Sequence, residues 1–413
     1  MSTIGDIRAQ FPALQTKVYG RPLIYFDNAA TAHKPLSVIE MEDRLYRGSY
    51  SNVHRAVHKL SADATNAYEE ARDAVAAFIG AGSREETIFT SGATASLNLL
   101  AHSFVERYVG RGDKILLTEA EHHANIVPWQ LACRRAGASL EVVPVGSDGC
   151  IDLRVLESHL DDASVKLLAL PHISNVLGVV NPVKEIVALA HRRGIPVAVD
   201  GAQGIVHAEV NVRDLDCDFY AFSGHKIYAP TGTGVLYGKR RFLEEMPPFM
   251  GGGDMIDTVT FEKTSYAPLP LKFEAGTPNF VGAACLKPAL ETASALRRET
   301  EVQLSERQIV EYLIGELRKI DGLRIYGTPR DIAQKAPVIS FTVDGAHPSD
   351  LAQILDKMGI AVRSGLMCAE PLVRKYSEVG MLRVSLAPYN TMDECVTFME
   401  SLHRAINMLR RCV

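Results

Sequence analysis

Apolar residues in this chain fall into two rhythms that alternate along its first two thirds. Short, mainly apolar runs, several of them continuous, predict strands at 87–90, Lys114–Thr118, Ser139–Pro144, Val165–Leu170, Val197–Asp200, Cys217–Phe222 and Thr233–Tyr237. Stripes at helical spacing between them predict helices at 61–79, about 94–108, Ile126–Ala136, Asp152–His159 and Pro182–Arg193. In the first of these, Ala71, Val75, Phe78 and Ile79 form the stripe. Unbroken strands separated by helices are the signature of a mainly parallel sheet covered on both faces. Ligands of such sheets bind at the carboxyl ends of the strands.

The two ends of the chain read differently. Ile4, Ile7, Phe11 and Leu14 line one side of an amphipathic arm, and Leu23–Phe26 makes a short strand that stops at DNAAT, 27–31. Residues 247–283 are rich in Gly and Pro and lack periodicity, which predicts loops around a site. A long helix is expected over about 284–319, with a register break near Pro288. Beyond it, short strands at Leu323–Tyr326, Val338–Thr342, Ile360–Arg363 and Leu382–Ser385 alternate with helices at 349–358 and 392–410. The expected organisation is an arm at 1–20, a large domain at 21–289 and a smaller C-terminal α/β domain at 290–413.

Composition narrows the function classes. Of 413 residues, 47% are apolar and 23% charged, enough for a large core. A net charge of -5 gives no support for a nucleic-acid binder. No run approaches the about 18 apolar residues of a membrane span, and MSTIGDIRAQFPAL, with Asp6 in it and no long apolar stretch, is not expected to act as a secretory signal. Seven cysteines lie far apart without a CxxC pair, so neither a disulfide framework nor a metal site is expected. A reducing cytoplasm is the expected compartment.

Candidate chemistry gathers at the predicted strand ends. Lys226 follows the apolar run that ends at Phe222, and Ser223 and His225 sit beside it as extra donors. Asp200 ends VAVD, with Gln203 three residues on. Gly92, Ala93, Thr94 and Ala95 form a glycine turn into a helix start, as phosphate binding needs. A lysine for a Schiff base, a carboxylate for a ring nitrogen and a helix N-terminus for a phosphate outline a pyridoxal-phosphate site. Gln203 is a candidate donor to the ring hydroxyl. Of the pair in EHHANIVPW, His123 is the candidate to stack on the ring, ahead of His122. Cys368, between Gly365 and Pro371, is the cysteine placed for thiolate chemistry. Arg363 and Arg383 suit a substrate carboxylate or an ordinary ion pair.

The stretches YFDNAAT, TSGATASLNLL, EHHANIVPW, SNVLG, VDGAQ, FSGHKIYAPTGTGVLYG, GTPN and RVSLAPYNT resemble the class V aminotransferase-fold enzymes. More closely they resemble the Suf-type cysteine desulfurase and selenocysteine lyase group, from about 22 to 405. The resemblance implies the fold type I architecture of pyridoxal-phosphate transferases. It implies Lys226 as the Schiff-base lysine, Asp200, Gln203 and His123 around the ring, and Thr94, Ala95, Ser223 and His225 around the phosphate. It implies a homodimer in which Thr277 of GTPN crosses to complete the phosphate cup. Arg383 and Asn175 would bind substrate, with Arg363, His54 and His58 around them, and Cys368 would collect sulfur. That group carries one or two histidines before the cysteine, where this chain has Leu366 and Met367.

The expected function is therefore a cysteine desulfurase that converts L-cysteine to L-alanine, leaving a persulfide for a sulfur-acceptor protein. The alternatives are action on L-selenocysteine as a lyase, another class V lyase or transaminase, and a catalytically inactive scaffold.

Overall fold

The computed structural model describes residues 3–329 and 331–410; Cys412 and the outermost ends of the expected arm and small domain lie outside the described residues. Seven strands form the central sheet: β1 (Thr87–Thr90), β2 (Lys114–Thr118), β3 (Ser139–Val143), β4 (Val165–Pro171), β5 (Val197–Asp200), β6 (Phe219–Ser223) and β7 (Gly234–Gly238). Their order is β1-β7-β6-β5-β4-β2-β3. All neighbours are parallel except β7, which runs against both β1 and β6. Successive residues feed opposite cores. Leu168, Leu170, Val197, Val199, Tyr220 and Phe222 pack on one face. Leu167, Ala169, Ala198, Phe219 and Ala221 pack on the other. Burial on both faces is why these strands read as unbroken apolar runs.

A four-stranded antiparallel sheet follows, from β8 (Leu323–Tyr326), β9 (Val338–Val343), β10 (Arg363–Gly365) and β11 (Met381–Ser385), in the order β8-β9-β11-β10. Its core takes Phe341, Leu382 and Val384 from the sheet and Leu313, Leu355, Phe398 and Leu402 from helices. Ile24 and Phe26 of the N-terminal segment also lie in this second core. Ile24 and Tyr25 pair in parallel with Ile360 and Ala361. The chain thus contributes to the second core before it builds the first sheet, and DNAAT sits at the junction.

Three expectations change. The 247–283 stretch contains a hairpin, Ile256–Val259 with Thr264–Tyr266. Its side chains are almost all exposed, so no apolar pattern marks it. The expected long helix is three, Phe280–Ala284, Leu286–Arg298 and Thr300–Leu317, broken at Cys285 and Glu299 instead of Pro288. Pro288 sits in a first turn, where its missing N–H costs nothing. The expected strand Ile360–Arg363 is divided at Val362, and its two halves join different sheets. Among the described residues no helix is long and apolar enough to cross a membrane.

Candidate active site

Two neighbouring strands of the central sheet deliver the main groups to one place. β5 ends in Asp200, whose sheet neighbours are Pro171 and Ala221. β6 ends at Ser223, and a single 3-10 turn, Gly224–Lys226, carries the lysine. That turn is gripped by the N-terminal segment. The His225 carbonyl accepts from Ala32 N at 3.2 Å, Thr31 Oγ1 at 3.2 Å and Lys34 Nζ at 2.9 Å. Burial brings the Lys226 amine down to about 8; Asp200 and Cys368 oppose the fall, and Arg383 and Arg363 add to it. These four groups therefore share the amine's electrostatic neighbourhood.

Asp200 is buried, and its Oδ1 accepts from Ala202 N at 3.0 Å. Gln203 is buried beside it and donates from Nε2 to Ala29 O at 2.7 Å. Helix α1 (Ala93–Tyr108) begins at Gly92, which has φ +150° and offers no side-chain cap. A β-carbon on Gly234 would lie 2.4 Å from Gly92 Cα, so the close approach of β7 to this turn requires glycine. Ser223 Oγ accepts from Ala93 N at 2.8 Å and ties the helix start to the lysine's strand. Thr94 is exposed and Ala95 half-buried at the first turn. His225 is half-buried, and burial holds its ring down at about 4.

The adjacent histidines exchange places relative to expectation. His122 lies in the fields of Asp200 and Lys226; burial brings its ring down to about 4. The ring of His123 instead meets the Cys368 loop, its Nε2 accepting from Glu370 N at 2.9 Å. In a 3-10 turn with His122 as its cap, two adjacent side chains point different ways, and sequence spacing gives no sign of which. His122 is the better candidate for the ring face.

Arg383 is buried, with 2% exposure. Its Nη1 donates to Asn175 O at 2.9 Å and its Nη2 to Asp27 Oδ1 at 3.0 Å. Its Nε is buried without a partner. Arg363, half-exposed, lies across the same carboxylate, with Nη2 to Asp27 Oδ2 at 2.9 Å. Asp27 thus orients both arginines, and sequence reasoning missed it. Its signal was an acidic residue at the end of a short strand. Cys368 is exposed, and the field of its thiol reaches Lys226, Arg383 and Arg363. Asn175 Nδ2 donates to Met367 O at 2.8 Å, beside the cysteine.

Three expected residues stand apart from this cluster. His54 pairs its ring with Glu69 at 3.0 Å, and His58 caps the helix Lys59–Phe78. Thr277 is exposed in the turn before Phe280–Ala284. That turn borders a cavity of about 250 Å³, which Ser91 and Ala95 also line.

The aminotransferase class-V family model matches residues 24–398, nearly every strand and helix described above. The chain belongs to this family. Among its class-V relatives, the cysteine desulfurase of Serratia proteamaculans is 46% identical over 407 residues, covering 98% of this chain and 99% of that protein. The probable cysteine desulfurase of Vibrio cholerae is 44% identical over 409 residues, 99% of this chain and 100% of that one. The apo structure of cysteine desulfurase from Thermococcus onnurineus superposes with a TM-score of 0.92 at 38% identity, covering 98% of this chain and 99% of that chain. The S-sulfonic acid form of an Escherichia coli cysteine desulfurase superposes at 0.89 and 37% identity, covering 99% of each chain. This class-V chain therefore has the fold type I architecture, a large, mainly parallel sheet domain followed by a smaller C-terminal one.

Proposed function

We propose that this chain is a pyridoxal-phosphate-dependent cysteine desulfurase that moves sulfur from L-cysteine to Cys368 and releases L-alanine. One convergence supports it: the exposed thiol of Cys368, the Lys226 amine and the buried, partner-free Nε of Arg383 share one site.

The residues fit the cofactor. An amine at about 8 is partly neutral at physiological pH and can join an aldehyde. The start of α1, uncapped at Gly92, offers N–H groups to a phosphate. Lys226 would hold the cofactor's aldehyde, Asp200 its ring nitrogen, Gln203 its ring hydroxyl and His122 its ring face. Thr94, Ala95, Ser223 and His225 would hold the phosphate, joined by Thr277 of a second copy in a homodimer. Bound there, the cofactor supplies an electron sink for charge at the substrate α-carbon.

The chain's own groups do the rest. Arg383, already oriented by Asp27 and the Asn175 carbonyl, receives the substrate carboxylate on its free Nε. Arg363 adds positive charge at the same place. The neutral Lys226 amine takes the α-proton and returns it. The Cys368 thiolate attacks the substrate sulfur. The S–S bond forms as the C–S bond breaks, and that bond's electron pair stays with carbon and is protonated. The products are alanine and a Cys368 persulfide. The exposure of Cys368 leaves the persulfide open to an external sulfur-acceptor protein. The free cysteines of the chain suit a reducing, cytoplasmic setting.

A second reading, selenocysteine lyase, is favoured by one feature. Leu366 and Met367 pack against the core and put apolar groups where titratable ones precede the thiol in the resembled group. The deciding assay measures alanine release from L-cysteine and from L-selenocysteine by the wild type and by Cys368→Ser. Loss of the cysteine reaction alone supports the desulfurase. Full retention of both reactions overturns it in favour of the lyase.

A further inference from the structure

The loop that carries Cys368 has two consecutive non-glycine residues in the left-handed region, Met367 at φ +51° and Cys368 at φ +55°. Such residues persist only where their surroundings over-determine the backbone. Here the determining contacts are visible. Met367 is 6% exposed and packed in the main core, while its neighbour Cys368 is exposed. Asn175 Nδ2 holds the Met367 carbonyl, and Ala369 N closes onto Leu366 O at 2.9 Å. One residue grips the loop twice. His123 donates its backbone N–H to Cys368 O at 2.7 Å and accepts the Glu370 N–H on its ring Nε2 at 2.9 Å.

We infer that His123 is a positioning residue for the Cys368 thiol, a clamp between the large domain and the cysteine loop. It holds the carbonyl of 368 and the amide of 370, on the C-terminal side of the cysteine, while Asn175 holds the carbonyl of 367 on the N-terminal side. With the carbonyls of 367 and 368 both held, the backbone on either side of the thiol is fixed and its remaining freedom is its own side-chain torsion. Accepting at Nε2 puts the ring hydrogen on Nδ1, so the clamp is the neutral ring in one tautomer. The core anchor of Met367 and the ring clamp of His123 act on opposite sides of the thiol. Together they hold in place a backbone that the chain's local preferences disfavour. This inference rests on the proposed function only in taking Cys368 as the sulfur-collecting group.

The test compares His123→Phe and His123→Gln with the wild type as holoenzymes. Phenylalanine fills the ring's space and removes the acceptor; glutamine restores an acceptor oxygen. Four quantities are read: absorbance of the lysine-linked cofactor, kcat and KM for persulfide formation from L-cysteine, and amide exchange in the 366–376 peptide without substrate. In the Phe variant the absorbance remains and KM stays within about threefold. Its kcat falls roughly ten- to a hundredfold through misplacement of the thiol, and the 366–376 amides exchange faster. The Gln variant recovers most of both. Wild-type exchange and kcat in the Phe variant overturn the inference, as does equal damage in both variants or loss of the cofactor absorbance. If the wild type forms no persulfide, the proposed function fails, and the exchange comparison still decides the clamp.

Discussion

At the scale of single residues, the site is built from groups whose partners were chosen before any ligand arrives. Asp27 holds two arginines, three donors hold the carbonyl before Lys226, and His123 holds the cysteine loop. Lys226 is the exception, and its freedom has a pH signature. Burial lowers it to about 8, while the Asp200 charge pulls the other way. Only the neutral amine attacks an aldehyde. Cofactor uptake by the apoprotein is therefore predicted to accelerate as pH rises toward about 8 and to level off above it. Asp200→Asn removes the charge that opposes the fall and should move the plateau to lower pH. Stopped-flow absorbance across pH checks both; a rate still climbing well above that pH would count against a buried amine. The sequence singles out Lys226, Asp200 and Cys368 as candidates because each stands at or just beyond a strand end or in a glycine-framed loop. It could not separate His122 from His123, because adjacent residues in a 3-10 turn have no periodicity to read.

At the scale of elements, the strands were legible because burial on two faces leaves apolar runs, and most helices because one buried face leaves a stripe at helical spacing. Elements with thin buried faces were not. The helix Leu36–Gly48 buries only Val38 and Leu45. The hairpin at 256–266 is nearly all exposed. Equally hidden was the anchor of the 274–279 segment. Arg72, 1% exposed on Lys59–Phe78, grips Glu274 with Nη1 at 2.7 Å and Nη2 at 2.8 Å. Tyr68 OH and Phe89 N donate to the same carboxylate. Two charges more than two hundred residues apart in sequence leave no local pattern. Glu274→Ala takes from the buried guanidinium its bidentate counter-charge, leaving only the carboxylate contact of Nε with Glu69 Oε2 at 3.4 Å, and should cost about 3–5 kcal/mol in urea unfolding. A loss below about 1 kcal/mol, the scale of an exposed pair, would show that water replaces the carboxylate.

At the scale of the whole molecule, the site belongs to neither sheet alone. Asp200 and Lys226 come from the central sheet, Arg363 and Arg383 from the second, and Asp27 from the segment that stitches them together. Thr277, exposed in its turn, is assigned to the site of a second copy. Co-expressed Lys226→Ala and Thr277→Arg chains test that assignment. If Thr277 crosses, each heterodimer carries both defects in one site and keeps the other intact, so activity returns. If Thr277 serves its own chain's site, both sites fail and no activity returns. The central claim spans the domains in the same way, since sulfur released over Lys226 must end on Cys368. Its most direct test is mass analysis of the Cys368 peptide after the holoenzyme meets L-cysteine without reductant. The account predicts that this peptide gains one sulfur atom for each alanine released in the first turnover. Alanine released while the Cys368 peptide stays unmodified would contradict it.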